Sequence, residues 1–290
     1  MSNSTIQQRL YDPSAYWASP SRNFRSSTRL HLQHYLWQNT TRFLLEPRIQ
    51  ASIEQHQQIK VADLGCGNGV WLADLGYELS QKHIPAQLNG YDINEGNFPP
   101  PAFLPASVTL TKLDVLSGIF PLEAIGAFDV VHIRAFSSII IDNNTTNLLS
   151  AALSLLKPGG WIQWEEWGTD LIIEPASPRL STESCERIAR VLKAGGDAQG
   201  LNVDFVRNLD GHLINAGFQQ TEDFLIIWEE VASFFPSRAE TSQSQASVTK
   251  ESWAQLFADA VKEIEQGVAL HRGSVFTAIG RKPFPNGERS

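Results

Sequence analysis

The chain has 290 residues, a formal net charge of −8 and a pI near 5.4, with 42% hydrophobic and 19% charged residues. This composition is typical of a globular protein with a sizeable core, and its acidic balance disfavours a nucleic-acid partner because it repels phosphate backbones. No apolar stretch of the sequence reaches the roughly 20 residues that a membrane-spanning helix needs, so we expect no membrane partner.

The N-terminal segment and the cysteine content both predict a cytoplasmic protein. The segment Met1–Tyr11 is polar and lacks the apolar core of a secretory signal. Cys66 and Cys185 are too few for a disulfide framework or a four-ligand zinc site. We therefore expect the cytoplasm as the location of the chain.

Residues 1–58 predict a helical N-terminal extension or lid. Apolar residues recur at helical spacing at Leu30, Leu32, Tyr35, Leu36 and Trp37. The pattern continues weakly to Leu45, and we expect Pro47 to halt the helix. No strand-like run precedes residue 59.

From residue 59 to the C-terminus the pattern changes to short apolar runs that alternate with helical segments. The predicted strands are Lys60–Leu64, Leu88–Ile93, Val108–Leu113, Phe128–Ile133 and a fifth that begins with Trp161–Trp164. Predicted helices follow Gly69 and cover Leu148–Leu156, with Lys157–Gly160 closing the second one. This alternation predicts an α/β domain with a mostly parallel sheet and helices on both faces.

The last third of the chain is less regular. Helices are predicted over Ser181–Ala194, Val203–Ala216 and Ser252–Gln266, and strands over Phe218–Trp228 and Val275–Arg281. We expect a substrate cap around residues 168–216. Residues 233–250 are rich in Ser, Gln and Ala and predict a loop.

The segment Asp63–Gly69 places three glycines at alternate positions between the first strand and the helix that follows it. Glycine is needed where the backbone turns sharply or approaches a ligand closely, and a helix N-terminus favours a carboxylate. Position 70 is Val, so the dinucleotide fingerprint G-x-G-x-x-G fails. The pattern favours S-adenosylmethionine (SAM) over NAD, with Asp63 placed to meet an ammonium group.

Two more carboxylates follow predicted strands. Asp92 ends the second strand, where it can accept hydrogen bonds from both ribose hydroxyls, although NAD proteins use an acidic residue there too. Asp114 follows the third strand and can accept from an adenine amino group. The alternatives are a strand-end cap for Asp92 and an ordinary loop residue for Asp114.

These segments resemble, in order, the main signature segments of class I SAM-dependent methyltransferases. The resemblance covers roughly residues 60–167 and rests on the segments Asp63–Gly69, Asp92, Leu113–Val115, Phe128–His132 and Leu156–Gly160. The segments Arg29–Trp37, His132–Arg134 and Gln163–Glu165 are also similar to fungal secondary-metabolite methyltransferases of the gliotoxin-pathway N-methyltransferase group.

The resemblance implies a Rossmann-like seven-stranded sheet with an antiparallel last strand, plus a cap that contacts substrate. It implies SAM as cofactor and S-adenosylhomocysteine (SAH) as product, bound at the carboxyl ends of the first strands. The cofactor-binding residues expected from it are Asp63, Gly65, Cys66, Gly67, Gly69, Asp92, Ile93, Asp114, Val115, Ile133 and Arg134.

Candidates for catalysis lie where the fourth and fifth strands end. His132 either orients or deprotonates an acceptor or is a structural histidine, and Arg134 either holds a carboxylate or forms an ion pair. Glu165 and Glu166 lie among tryptophans, where desolvation raises the pKa of a carboxyl group toward that of a base, and Glu165 is the favoured candidate. The alternative is that one of the pair simply faces solvent. Trp164, Glu166 and Trp167 are the expected substrate contacts.

Aromatic residues of the extension either cover the cofactor through cation–π contact or pack as core. They are Tyr16, Trp17, Phe24, Tyr35 and Trp37. No Asn-Pro-Pro-Tyr segment is present, which argues against methylation of nucleobase or glutamine amides. No clustered Asp-Asp-Asn metal site is visible in the sequence, so we expect no metal.

The sequence thus predicts a SAM-dependent methyltransferase that acts on nitrogen or oxygen of a small molecule. The alternatives are a SAM-binding regulator without methyl transfer and an enzyme that uses SAM for cyclisation or rearrangement. The acceptor and the oligomeric state are not determined by the sequence.

Overall fold

The computed structural model describes residues 24–168, 171–201, 203–227, 250–272 and 274–285. The described helices are α1 (Phe24–Thr41), α2 (Pro47–Ile53), α3 (Val70–Gln81), α4 (Thr146–Leu155), α5 (Glu183–Asp197), α6 (Leu209–Ala216) and α7 (Lys250–Glu265). The strands are β1 (Ile59–Leu64), β2 (Ala86–Asp92), β3 (Val108–Lys112), β4 (Phe128–Arg134), β5 (Leu156–Trp167), β6 (Leu171–Pro175), β7 (Gln219–Ile227), β8 (Val268–Arg272) and β9 (Ser274–Arg281).

Seven of these strands form one sheet in the order β3-β2-β1-β4-β5-β9-β7, while β6 and β8 pair in a separate small sheet. Parallel pairing runs from β3 through β2, β1 and β4 to β5. β9 is antiparallel to both of its neighbours, β5 and β7. The predicted seven-stranded, mostly parallel Rossmann-like sheet with an antiparallel last strand is confirmed.

The strand order reverses at the middle of the sheet, which is the usual position of a ligand crevice in such folds. From β1 the chain moves outward to β2 and β3, and it then returns to place β4 on the other side of β1. In open parallel sheets this reversal leaves room beyond the carboxyl ends of the two central strands, which is where ligands bind. The glycine segment follows β1, and Arg134 ends β4, so both lie at this edge.

Helices cover both faces of the sheet, which explains why β4 is hydrophobic almost throughout. Val131 and Ile133 face a core cluster that includes Leu149 of α4. Val130 faces the opposite cluster, to which α2 contributes Ile49. These side chains are fully or almost fully buried, and each such burial is worth roughly 1.5–3 kcal/mol.

The structure corrects the prediction that Pro47 halts the first helix. α1 already ends at Thr41, and Arg42 has a left-handed φ of 63°. Pro47 instead begins α2, where its fixed φ suits a first helical position and its missing N–H costs no hydrogen bond. Glu46 caps this helix by accepting from the Arg48 N–H at 2.8 Å.

The fifth strand is longer than Trp161–Trp164 because it begins at Leu156 and ends at Trp167. Lys157–Gly160 therefore does not simply close α4. The β4–β5 register jumps from Phe128–Leu156 to Val130–Trp161, so this segment bulges out of the pairing. Gly159, at a φ of 77°, provides the turn.

The structure contains two strands that the sequence pattern did not predict, and of these only β6 lies within residues 168–216. β6 and β8 pair antiparallel although 92 residues separate Pro175 from Val268, which they bring together. α5 and α7 pack beside them through Cys185, Ile188, Trp253 and Leu256. The predicted helix Val203–Ala216 is divided into a 3₁₀ segment, Asp204–Asn208, and α6.

Some predictions fall outside the described residues. They are Tyr16, Trp17, the loop at 233–250 apart from its last residue, and the side chain of Phe24. The boundaries of the extension (1–58), the domain (59–290) and the cap stay predictions. None of the helices in the described ranges combines the length and the apolarity that crossing a bilayer requires.

Candidate functional site

The glycine segment forms a tight loop between β1 and α3. Gly65, Gly67 and Gly69 have φ values of 72°, 59° and 75°, the left-handed region that favours glycine. The N–H groups of Gly65 and Cys66 both donate to the Tyr91 carbonyl, at 2.7 and 3.1 Å, which ties the loop to the end of β2. α3 then begins after Gly69, which has no side chain to cap it, and the Val70 N–H donates to Asn68 Oδ1 at 3.3 Å. The next N–H groups of this first turn have no acceptor within the helix.

Packing also requires glycine at these positions. A Cβ atom on Gly65 would lie 2.6 Å from the Phe136 ring, and one on Gly67 would lie 2.9 Å from Leu30. Leu30 belongs to α1, so the extension rests directly on the loop. The loop backbone is therefore held between a side chain from beyond β4 and a side chain from α1.

Asp92 lies at the end of β2, beside the glycine loop. Its Oδ2 accepts from the Gly67 N–H at 2.8 Å and its Oδ1 accepts from the Asn94 N–H at 2.8 Å. Ile93, the next residue, is half-buried. Asp92 thus lies beside the loop, as predicted, and it also caps the end of the strand, which was the alternative role.

Asp114 acts as an N-cap. Its Oδ1 accepts from the Leu116 N–H at 3.0 Å at the start of a 3₁₀ turn, and Val115 beside it is buried. Cys66 is buried in the glycine loop, and burial, reinforced by the Asp63 and Asp92 carboxylates, raises the pKa of its thiol well above the ordinary range. The thiol therefore stays protonated, and Cys66 is a loop residue without nucleophilic character.

The candidate residues of β1, β4 and β5 form a buried polar network on one face of the sheet. His132 Nδ1 lies 2.7 Å from Asp63 Oδ1, and His132 Nε2 lies 3.3 Å from Glu165 Oε2. Arg134 contacts the same carboxylate oxygen through Nε at 2.6 Å and Nη2 at 2.5 Å. Asp63 therefore meets a histidine here, where the sequence had suggested a ligand ammonium group.

The charge state of Glu165 differs from the expectation. Burial alone would raise the pKa of Glu165, but the Arg134 charge and the contact with His132 outweigh it and hold the pKa below its ordinary value. The expectation of a pKa raised toward that of a base was wrong, because the sequence did not reveal that Arg134 pairs with this carboxylate. The predicted alternative of an ion pair for Arg134 is what the structure contains.

The network extends into α1 and α3 through residues that the sequence reasoning missed. Arg134 Nη1 lies 3.2 Å from His34 Nδ1, and His34 Nε2 lies 2.9 Å from Asp74 Oδ2. Burial, reinforced by the Arg134 charge, lowers the pKa of His34 to about 4, so its ring is neutral at pH 7. The signal available in the sequence was the position of His34 on the apolar side of α1. In the structure, Tyr35 beside it is exposed.

Tryptophan rings surround this network. Trp71 of α3 stacks on His132, with ring centres 3.7 Å apart and planes at 5°. The Arg134 guanidinium lies 5.0 Å from the centre of the Trp37 ring, and Trp37 packs edge-on against Trp167. Trp37 of the extension thus packs against the protein itself, while Trp167 lies at the edge of the same face.

Glu166 and Trp164 lie on the opposite face of the sheet from Glu165. Glu166 is fully buried, as is Glu165, so the alternative that one of the pair faces solvent is wrong. Burial raises the pKa of Glu166 to about 7, against the opposing effect of hydrogen bonds from Trp164, Phe136 and Ser137. Trp164 stacks on Phe205 within the core that also buries Ile133.

The predicted site residues therefore form two groups. The glycine loop and Asp92 make one, the network of Asp63, His132, Arg134 and Glu165 makes the other, and α1 contacts both. Trp164 and Glu166 belong to neither group, because they lie on the opposite face of β5. Within the described ranges, no group of three or more His, Cys, Asp or Glu side chains has the arrangement of a metal site. The roles assigned to individual residues stay predictions.

Known proteins are similar to this chain. The family described as a methyltransferase domain matches residues 29–260. Methyltransferase grgD of a Penicillium species is 27% identical over 207 residues, covering 69% of this chain and 68% of that protein. N-methyltransferase tcpN of Claviceps purpurea is 32% identical over 152 residues, and the chain spans about half of its length, 51%. A solved SAM-dependent methyltransferase from Archaeoglobus fulgidus aligns with a TM-score of 0.42 and 19% identity, covering 81% of this chain and 91% of that one.

Proposed function

This chain belongs to the methyltransferase-domain family as a class I SAM-dependent methyltransferase, and we propose that it transfers a methyl group to nitrogen or oxygen of a small secondary metabolite. The observation that carries the proposal is the left-handed glycine loop, which joins the uncapped N-terminus of α3 to Asp92 at the crevice of the sheet. The relative from Claviceps purpurea is named an N-methyltransferase, which favours nitrogen as the acceptor atom.

The residues at the crevice fit SAM. The left-handed turn at Gly65, Gly67 and Gly69 leads directly into the start of α3, whose first N–H groups have no acceptor within the helix. We propose that the loop and the start of α3 hold the methionine part of SAM, that Asp92 and Ile93 hold the ribose, and that Asp114 and Val115 border the adenine. Bound SAM supplies an electrophilic methyl group on its sulfonium.

We place the acceptor beyond the carboxyl ends of β4 and β5. Methyl transfer is an in-line displacement, so the main task of the chain is to align the acceptor and to exclude water. Glu165, His132 and Arg134 remain the candidates for contact with the reacting groups. Because the pKa of Glu165 is lowered, we infer that it acts as a fixed negative charge that orients His132 and Arg134, and not as a proton acceptor.

A cytoplasmic location and a reaction without a metal ion are part of the proposal and rest on the sequence. Two alternatives keep the same cofactor site: a SAM-binding regulator, and an enzyme that uses SAM for a cyclisation or rearrangement. Only methyl transfer releases SAH in step with a methylated product.

The test is product analysis with the purified full chain, SAM carrying an isotope-labelled methyl group, and a panel of small amines, amides and phenols. We expect SAH and labelled product to accumulate in equal amounts with at least one acceptor. An Asp92→Ala variant should form neither, while Asp129→Ala should retain turnover, because Asp129 binds Lys60 and Lys157 at the other end of the sheet. SAM binding without SAH release across the panel would favour the alternatives.

A further inference from the structure

Glu166 is a buried carboxylate that serves the loop after β4. Its side chain has no exposed surface. Oε1 accepts from the Phe136 N–H at 2.7 Å and from the Trp164 indole N–H at 2.8 Å. Oε2 accepts from the Ser137 N–H at 3.1 Å. Both oxygens are therefore engaged with the protein itself, which does not support the substrate contact predicted for this residue.

The loop that Glu166 holds is strained and lies against the glycine loop. Ala135 adopts a left-handed φ of 60°, which is unusual for a residue other than glycine. Phe136 follows it and is 2% exposed, with its ring packed so closely on Gly65 that a Cβ there would lie 2.6 Å away. Whatever fixes the Phe136 backbone therefore also fixes one wall of the glycine loop.

We propose that Glu166 is a positioning residue for the cofactor site: by accepting the Phe136 and Ser137 N–H groups, it holds the Phe136 ring against Gly65 and so fixes the loop that receives SAM. This inference rests on the proposed function. Glu166 does not touch the cofactor or the acceptor, since it lies on the face of the sheet opposite Glu165 and acts through Phe136.

The cost of keeping a carboxylate at this place supports a positional role. Burial raises its pKa to about 7, so an ionised Glu166 is held in the core against its solvation preference. An apolar side chain would avoid this cost but would leave the Phe136 and Ser137 N–H groups without their acceptor. A glutamine has one acceptor oxygen, so its NH₂ group would face either the Phe136 N–H or the Ser137 N–H, which would lose its acceptor.

Glu263 provides a matched control. It is also a largely buried glutamate, and it accepts from two successive backbone N–H groups, those of Ser184 at 3.0 Å and Cys185 at 2.9 Å. It lies on α7, where it contacts the start of α5, and not beside the glycine loop. Replacing either glutamate by glutamine makes the same chemical change in a different place.

The experiment compares SAH affinity by calorimetric titration and the thermal unfolding midpoint for wild type, Glu166→Gln and Glu263→Gln. We expect both variants to unfold at a lower temperature, but only Glu166→Gln to bind SAH about tenfold more weakly. A second variant, Phe136→Leu, keeps the backbone N–H and replaces the ring that touches Gly65 by a smaller side chain. It should also weaken SAH binding.

The outcomes separate this inference from the proposed function. Absence of SAH binding by folded wild type overturns the proposed function, and this inference with it. Binding by wild type together with unchanged affinity in Glu166→Gln, or an equal loss in Glu263→Gln, overturns the positioning role alone. If Glu166→Gln does not fold, Phe136→Leu decides the matter, because wild-type affinity in that variant contradicts the inference.

Discussion

Glu165 and Glu166 are adjacent, equally buried carboxylates whose charges are compensated in different ways. Glu165 faces Arg134 and His132, and its pKa is lowered. Glu166 faces backbone and indole N–H groups without a cation, and its pKa is raised to about 7. Their alternation across β5 places these environments on opposite faces of the sheet. Each of these two environments leads to a distinct prediction about stability.

The first prediction concerns pH. Because the pKa of Glu166 rises from its ordinary 4.5 to about 7 on folding, its contribution to stability is complete below pH 4.5 and is lost as the pH rises through about 7. Relative to Glu166→Gln, the wild type should therefore lose about 3 kcal/mol of unfolding free energy between about pH 5 and pH 8. Urea denaturation of both proteins across this range measures the difference. A constant difference between the two proteins would contradict the prediction.

The second prediction concerns the Arg134–Glu165 ion pair. Replacing Arg134 by Met leaves a fully buried carboxylate without its cation, and we expect a loss of about 3–5 kcal/mol in unfolding free energy. The double variant Arg134→Met with Glu165→Gln should lose clearly less than the single one, because no uncompensated charge remains. Chemical denaturation at pH 7 tests this cycle. Strict additivity of the two single substitutions would show that the pair is not coupled.

At the residue scale, the sequence predicted the important side chains more accurately than it predicted their contacts. Asp63, His132, Arg134 and Glu165 were each singled out, and the structure brings all four together. Their partners could not be predicted, because His34 and Arg134 are 100 residues apart and meet only through the docking of α1. The pKa direction of Glu165 depends on that tertiary contact.

At the scale of elements, the turn between β1 and α3 gives the third prediction. Gly65 and Gly118 both have left-handed φ values, 72° and 68°, but only Gly65 has an obstacle at its Cβ position, the Phe136 ring. Gly118→Ala should therefore cost about 1 kcal/mol, from backbone strain alone. Gly65→Ala should cost about 3 kcal/mol or more, since the ring must also move. Urea denaturation compares them, and equal losses would mean that the ring adjusts freely.

The elements that the sequence predicted best are those with strong local patterns. The bounds of β1 to β4 lie within two residues of the predicted ones, and α3 follows Gly69 as predicted, because apolar runs and glycines mark these elements. β6 and β8 were missed because each is a five-residue strand that pairs with the other, far away in the sequence. Pro47 was misjudged because proline also begins helices, and only the Glu46 cap distinguishes the two cases.

At the scale of the whole molecule, α1 joins the two groups of candidate residues. Its first half contacts the glycine loop, where Asn68 Nδ2 lies 2.6 Å from His31 Nδ1, and its second half contacts Arg134 through His34 and Trp37. The alternation of strands and helices predicted the sheet, but the path of α1 along its carboxyl edge depends on these long-range contacts. We expect the extension to contribute to the cofactor site and not merely to precede it.

The central claim is that SAM binds at the carboxyl edge of the sheet, against the glycine loop and Asp92. Calorimetric titration of the full chain with SAM and SAH, with NAD as control, tests it most directly. We predict saturable binding of SAM and SAH but not of NAD, lost in Asp92→Ala and retained in Asp129→Ala. A folded wild-type protein that binds neither SAM nor SAH would contradict the claim.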